Sequence, residues 1–209
     1  FTSFLIALNN DKPNFKNLNF RFIGPDGNRA IAISGVSSDH NTYYVGAASG
    51  GLFKTTNKGI SWEPIFDDQD VSSVSAIAVS QKNPNIVWAG TGETFLIRPA
   101  HAIGDGIYKS EDGGNTWKNM GLQKTARIAK IVIHPKNDKI VYVAALGHTF
   151  GPQEDRGIYK TTNGGKTWKK ILFIDQNTGG IDIALDRKNP NFLIASMWEI
   201  YINTWGLNS

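Results

Sequence analysis

The stretch "SEDGGNTW", Ser110 to Trp117, returns as "TTNKGISW" at Thr55 to Trp62 and as "TTNGGKTW" at Thr161 to Trp168. The three tryptophans, Trp62, Trp117 and Trp168, stand 55 and 51 residues apart, which is a repeat period. The residue types within each copy spell a tight turn. Asp112, Asn57 and Asn163 hold the third position, where a short side-chain oxygen accepts backbone N–H bonds in an Asx-type turn. Gly59, Gly114 and Gly165 take positive φ without a Cβ penalty, and Ser110, with the Ser or Thr near the end, adds local hydrogen bonds. Each tryptophan is expected to bury its ring between neighbouring units, stabilising by ~2–3 kcal/mol by area. The motif therefore reads as a folding device.

Short strand-like words precede each copy at constant order. "GLFK" at Gly51, "GIYK" at Gly106 and "GIYK" at Gly157 lead directly into it. Upstream lie "TYYVGAA" from Thr42, "IVWAGTG" from Ile86, "IVYVAAL" from Ile140 and "FLIASMW" from Phe192. Further back come "AIAISGV" from Ala30, "SAIAVS" from Ser75, "IAKIVIH" from Ile128 and "IDIALD" from Ile181, with Asn- and Pro-rich turns between. A fourth word follows each tryptophan, as in "WEPIF" and "WKKILF". Each unit thus predicts four short antiparallel strands, A to D. Pro64 falls in strand D, which places D at a sheet edge, and the small alanines of strand A suit a crowded axis. Four-stranded antiparallel sheets repeated at this spacing are the blades of an all-β β-propeller.

The expected boundaries are an N-terminal segment at 1–23, blade 1 at 24–70, blade 2 at 71–123, blade 3 at 124–176 and a partial blade 4 at 177–209. About three and a half blades make an incomplete ring, so a truncated chain is expected. The alternative is a four-bladed ring in which "FTSFLIAL" and "LNFRFIG" supply the missing outer strands. "FTSFLIA" also reads either as the remnant of a secretory signal or as an edge strand.

Bulk properties narrow the function. The 209 residues are 40% apolar, with 22 glycines, and no window offers the roughly 20 apolar residues of a membrane span. The 22 Lys and Arg are scattered among 18 acids, without the like-charge run of a nucleic-acid stripe. The absence of cysteine removes disulfides, thiol catalysis and cysteine-bound zinc. No P-loop, dinucleotide fingerprint or nucleophile elbow occurs, and no cofactor is expected. Metal binding has thin support: His101 and His148 lack a third spaced ligand, His40 and His134 lie on the other rim, and "DDQD" at Asp67 to Asp70 reads as a solvated turn or, alternatively, a loose calcium site.

"SEDGGNTW" resembles the Asp-box of the bacterial neuraminidase repeat (BNR) proteins at every specified position. "AASGGLFKTTNKG", "GDGIYKSEDGGNTWKNMGL", "VYVAALGH", "DRGIYKTTNGGKTW" and "ASMWEI" look like exported bacterial proteins catalogued as BNR-repeat or sortilin-like glycosyl hydrolases. The resemblance covers residues 18 to 205 and implies a propeller that is secreted, periplasmic or on the cell surface. It implies activity less narrowly, because such propellers include sialidases, two-propeller xyloglucan hydrolases, peptide-binding sortilin ectodomains and a photosystem assembly factor.

In such a ring the A-to-B and C-to-D turns share one rim and the B-to-C and D-to-A loops the other. Ligand chemistry is expected on the second rim, whose long loops begin at Gly90, Ala145 and Met197. A glycosidase needs two carboxylates, ~5–5.5 Å apart for retention or ~6.5–9.5 Å for inversion. Glu93 and Glu199 are the first candidate acids and Asp105 the third, with solvated loop charges, or a turn cap at Asp105, as the ordinary reading. Arg29, Arg98, His101, Arg127, His148, Trp198 and Trp205 are the candidate ligand contacts. Arg29 and Arg127 stand just before strand A in units one and three; they read as an anion site or as entrance charges paired with acids such as Asp26 or Asp68. Sialidase chemistry needs an arginine cluster, and the chain has only Arg21, Arg29, Arg98, Arg127, Arg156 and Arg187. The expected partner is a peptide, a protein or a glycan, together with further blades of a parent chain. A binding scaffold and part of a glycoside hydrolase are the two readings.

Overall fold

The computed structural model describes residues 24–25, 29–94, 102–203 and 206–208. Blade 1 is built from β1 (Ala30–Val36), β2 (Asp39–Ala47), β3 (Leu52–Thr55) and β4 (Glu63–Pro64). Blade 2 follows as β5 (Val74–Val79), β6 (Val87–Thr91), β7 (Ile107–Ser110) and β8 (Lys118–Asn119). Blade 3 comprises β9 (Ile128–Ile133), β10 (Val141–Ala145), β11 (Gly157–Thr161) and β12 (Lys169–Leu172). In all three the strands lie in chain order and every pairing is antiparallel. β13 (Thr178–Leu185) and β14 (Leu193–Glu199) pair as the inner half of a fourth blade. The chain is a β-propeller of four-stranded blades.

The inner strands β1, β5, β9 and β13 follow one another side by side around a cavity of about 440 Å3, lined among others by Ser34, Ile77, Ile131 and Ile183. One bond recurs at the top of every blade: the N–H of Ala48, Gly92, Leu146 and Ile200 donates to the carbonyl of Arg29, Ser73, Arg127 and Asn177. Those four acceptors are equivalent positions, each one residue before strand A. Crowding near the axis also constrains strand B. A Cβ on Gly90 would lie 2.5 Å from Ile128 of the next blade, so only glycine lets β6 approach β9 this closely. Pro64 sits on β4, the outermost strand of its sheet, where its missing N–H costs nothing.

The repeated octapeptide is the β-to-β corner between strands C and D. At the second copy Thr116 donates its N–H to Asp112 Oδ1 (2.9 Å) and its hydroxyl to Oδ2 (2.6 Å), while Gly114 N–H donates to Ser110 Oγ (2.8 Å). The asparagine copies keep the geometry and reverse one donor. Ser61 and Thr167 N–H donate to Asn57 and Asn163 Oδ1 (3.0 Å each), and the amide Nδ2 now donates to the hydroxyl (2.9 and 2.8 Å). Gly114 and Gly165 have φ of 98° and 91°. Their Cα atoms also seat on the preceding blade: a Cβ would come within 2.7 Å of Ile65 and 2.6 Å of Trp88, respectively.

The tryptophans correct the expectation of a buried ring. Trp62, Trp117 and Trp168 are only partly buried, and two of them fasten the seam through the indole N–H as well as the ring. Trp117 donates to the Ile65 carbonyl at 2.7 Å and Trp168 to that of Met120 at 2.8 Å. Phe66 and Trp88 receive these rings edge-on, with centroids 5.3 and 6.0 Å apart. Among the described residues the fully buried indole is Trp88, in the core between blades 2 and 3.

The segment from Met197, expected as a plain loop, carries a hairpin of β15 (Tyr201–Asn203) and β16 (Gly206–Asn208). It docks through Ile202 N–H on the Thr149 carbonyl (2.8 Å) of the blade 3 loop. The expectations for "FTSFLIAL" and "LNFRFIG" lie outside the described residues.

Candidate ligand-binding rim

The A-to-B turns and the corners do share one rim. Lys58, Gly113 and Gly164 donate their backbone N–H to the carbonyls of Asn41, Asn85 and Lys139 in the A-to-B turn of the same blade (3.0, 2.9 and 2.9 Å). The long B-to-C loops open on the other rim, where a cavity of about 580 Å3 at the mouth of the axis is lined by Arg29, Ala30, Ile31, Thr94 and Ile181.

Arg29 and Glu93 meet at this mouth. Arg29 reaches from the start of blade 1 and forms an ion pair with the Glu93 carboxylate in the loop of blade 2. The Glu93 side chain is 6% exposed and that of Arg29 44%. This corrects the pairing expected from sequence: Asp68 makes no ion pair among the described residues, and Asp26 lies outside them. One position beyond, Arg127 is buried and donates from Nε to the Glu93 carbonyl (2.9 Å) and from a terminal nitrogen to the Gly147 carbonyl (3.4 Å). Burial lowers the Arg127 pKa, the Glu93 charge opposes the shift and Arg156 adds to it. Arg127 nevertheless stays cationic, as arginine does in proteins.

Arg156 is the residue whose part was not foreseen. Fully buried, it bonds the carbonyls of His148, Asn177 and Ile200, drawn from three separate segments. A legible signal exists in the repeat, because Arg156 and Asp105 both stand directly before the glycine that opens strand C. Asp105 anchors its own turn: it accepts from the Tyr108 hydroxyl (2.6 Å), and its N–H donates to Thr91 Oγ1 (3.0 Å). Burial, followed by that Asp105 bond, pushes the Tyr108 hydroxyl up to about 12. His148 is held below its ordinary value by burial and next by the Arg127 charge, and so is neutral at pH 7.

Two of the three candidate acids are therefore tied into the scaffold, Glu93 by Arg29 and Asp105 by Tyr108 and Thr91. Glu199 is exposed on β14, opposite Thr178, and Trp198 is half-buried opposite Gly179. No hydrogen bond or ion pair joins Glu199 to Glu93 or Asp105 among the described residues. Arg98, His101 and Trp205 lie outside those residues. Among the described residues no three His, Asp or Glu side chains cluster as a metal ion would require, and no helix is long and apolar enough to cross a membrane.

Blades in this order, with glycine-rich C-to-D corners, define a β-propeller similar to BNR-type, sortilin-like propellers. The Sortilin-Vps10 family model (sortilin, neurotensin receptor 3) matches residues 105–205. A probable oligoxyloglucan-reducing end-specific xyloglucanase of Neosartorya fischeri is 26% identical over 153 residues, spanning 70% of this chain and 16% of that protein. The structure of an ancestral GH74 enzyme superimposes with a TM-score of 0.64 at 25% identity, over 86% of this chain and 23% of the enzyme. YCF48 bound to D1 peptide shares the fold, with a TM-score of 0.53 at 17% identity over 77% of this chain and 47% of that one. The chain thus spans a sixth to a quarter of the xyloglucanase and GH74 proteins it resembles.

Proposed function

We propose that this chain supplies a glycan-binding rim of an exported, xyloglucanase-like β-propeller, and that it holds substrate without providing the catalytic pair. The observation that carries this reading is the capture of Glu93 by Arg29. A carboxylate held in an ion pair with a guanidinium is not free to attack an anomeric carbon. Asp105, committed to Tyr108 and its own turn, is equally removed. What remains at the mouth suits binding: the guanidinium edge of Arg29, the Thr94 hydroxyl and the apolar Ile31 and Ile181 beside a cavity of about 580 Å3. Trp198 and Glu199 on β14, which pairs with the strand that carries Ile181, are further candidate contacts. The similarity to the xyloglucanase and to the ancestral GH74 enzyme supports a neutral β-glucan as the ligand class.

The same similarity favours a second reading, in which Glu199, the one exposed candidate acid, acts with a carboxylate from elsewhere in a longer protein. Isothermal titration with xyloglucan oligosaccharides, run beside a reducing-sugar assay, separates the two. The binding reading expects affinity without cleavage and unchanged binding in Glu93→Gln. Cleavage abolished by Glu199→Gln would replace it with the catalytic one, and absence of binding would end both.

A further inference from the structure

The corner rim, opposite the proposed glycan mouth, carries a groove with an unusual charge. It runs between the corners of blades 2 and 3, encloses about 700 Å3, and is lined by Lys109, Lys118, Lys139 and Lys166 against the one acid Glu111, with the apolar Trp117 and Met120 beside them. Lys118, Lys139 and Lys166 are exposed, and none of them makes a hydrogen bond or ion pair through its ammonium group among the described residues. Lys109 is turned inward, shared between the Glu111 carboxylate (2.5 Å) and the face of Trp88 (5.6 Å from the ring centroid).

The repeat supplies its own control. The corner bonds make Lys139 equivalent to Asn85, since each offers the carbonyl that receives the corner glycine N–H. Counting from the corner tryptophans and glycines, Lys118 corresponds to Glu63, Lys166 to Asn115, Thr162 to Glu111, Asn163 to Asp112 and Lys109 to Lys54. The equivalent positions at the seam between blades 1 and 2 hold one lysine and three carboxylates, whereas the groove between blades 2 and 3 has four lysines and one carboxylate. Both seams close with the same indole-to-carbonyl bond, at 2.7 and 2.8 Å, so the fold does not require the lysines. Like charges gathered in one groove repel, and they persist at a cost that an anionic partner would offset.

We propose that this groove binds an acidic glycan, a chain bearing carboxylate or sulfate groups. Ammonium groups are compact single-point donors that suit scattered carboxylates and sulfates, unlike the bidentate fork of arginine. Thr162, exposed in the lining, offers a hydrogen bond to ring hydroxyls, and the Trp117 and Met120 side chains in the lining suit a sugar face. Addition of a peptide strand is disfavoured, because β8, the strand edge within the groove, is two residues long. The site is independent of the neutral-glycan rim, so either can fail alone.

The test transplants one seam onto the other. Lys118→Glu, Lys139→Asn and Lys166→Asn together recreate the residues that the blade 1–2 seam already carries, so the corner geometry is retained; a thermal melt checks this. The full chain is titrated with an oligogalacturonate, a heparin-derived oligosaccharide, a neutral xyloglucan oligosaccharide and hexaglutamate. At least one of the two acidic glycans is expected to bind, to weaken with added salt, and to lose roughly tenfold or more in the triple variant. The two glycans distinguish carboxylate from sulfate recognition. A charge-matched control, Lys82→Glu, Lys136→Asn and Lys188→Asn, should bind as the parent does. Failure of both acidic glycans to bind, an equal loss in the control, or tighter binding of hexaglutamate would overturn the proposal.

Discussion

Trp117 donates its indole N–H to the carbonyl of Ile65, 52 residues earlier, at 2.7 Å across the seam between blades 1 and 2. Trp168 repeats the bond on Met120 at 2.8 Å. A turn motif thereby does two jobs, closing its own hairpin and locking its blade to the one before.

Trp117→Phe keeps an aromatic ring against Phe66 and removes the N–H donor together with a smaller part of the ring contact. The Ile65 carbonyl then loses its partner, which should cost ~1–2 kcal/mol. Trp117→Ala should cost ~3 kcal/mol or more, because the ring contact goes as well. Urea denaturation of the two variants measures the difference. Equal losses would show that the hydrogen bond contributes nothing beyond the ring.

Lys58 occupies a position that the other corners give to glycine. Its φ is 61°, against 72° for Gly113 and 71° for Gly164. A left-handed non-glycine residue costs ~1–2 kcal/mol, and the extra freedom of glycine in the unfolded chain returns ~0.4–1 kcal/mol of that. Lys58→Gly should therefore stabilise by ~0.5–1 kcal/mol, visible as a higher denaturation midpoint. A lower midpoint would mean that the lysine side chain contributes more than the strain.

Most of the architecture was legible because it is local. Strand order, the corner and the edge placement of Pro64 follow from patterns within one unit, and three copies reinforce each reading. The pairing of Arg29 with Glu93 was not legible, since it joins two units at a distance set by blade packing. Arg29 and Arg127 were readable as equivalent positions, but which carbonyls and carboxylates they meet depends on irregular loops. The β15–β16 hairpin was hidden for a related reason: its strands are three residues each, and no counterpart in another unit repeats them among the described residues.

Acid should weaken the second corner selectively. The hydrogen bonds from the Thr116 hydroxyl and N–H hold the Asp112 carboxyl at about 2, below its ordinary 3.8. A lowered folded-state pKa gives stability that is complete above 3.8 and is lost as the pH falls through about 2. Asp112→Asn, which copies Asn57 and Asn163, should flatten that part of the stability curve and leave it unchanged near neutrality. Parallel curves for parent and variant between pH 4 and 2 would contradict the assignment.

Removing one partner of the ion pair at the mouth tests its structural role. Arg29→Met leaves the nearly buried Glu93 carboxylate without its guanidinium and should destabilise by ~1–3 kcal/mol, discounted for the exposed side of Arg29. Adding Glu93→Gln should recover part of the loss in a double-mutant cycle. Additive losses would mean that the two groups act independently.

The central claim is that the corners build the fold and the opposite rim binds the ligand. Hydrogen–deuterium exchange of the full chain with a neutral xyloglucan oligosaccharide tests it most directly. Slower exchange is predicted at residues 91–94, 145–149 and 197–200, with residues 55–62, 110–117 and 161–168 unchanged. Protection confined to the three corner segments would contradict the claim.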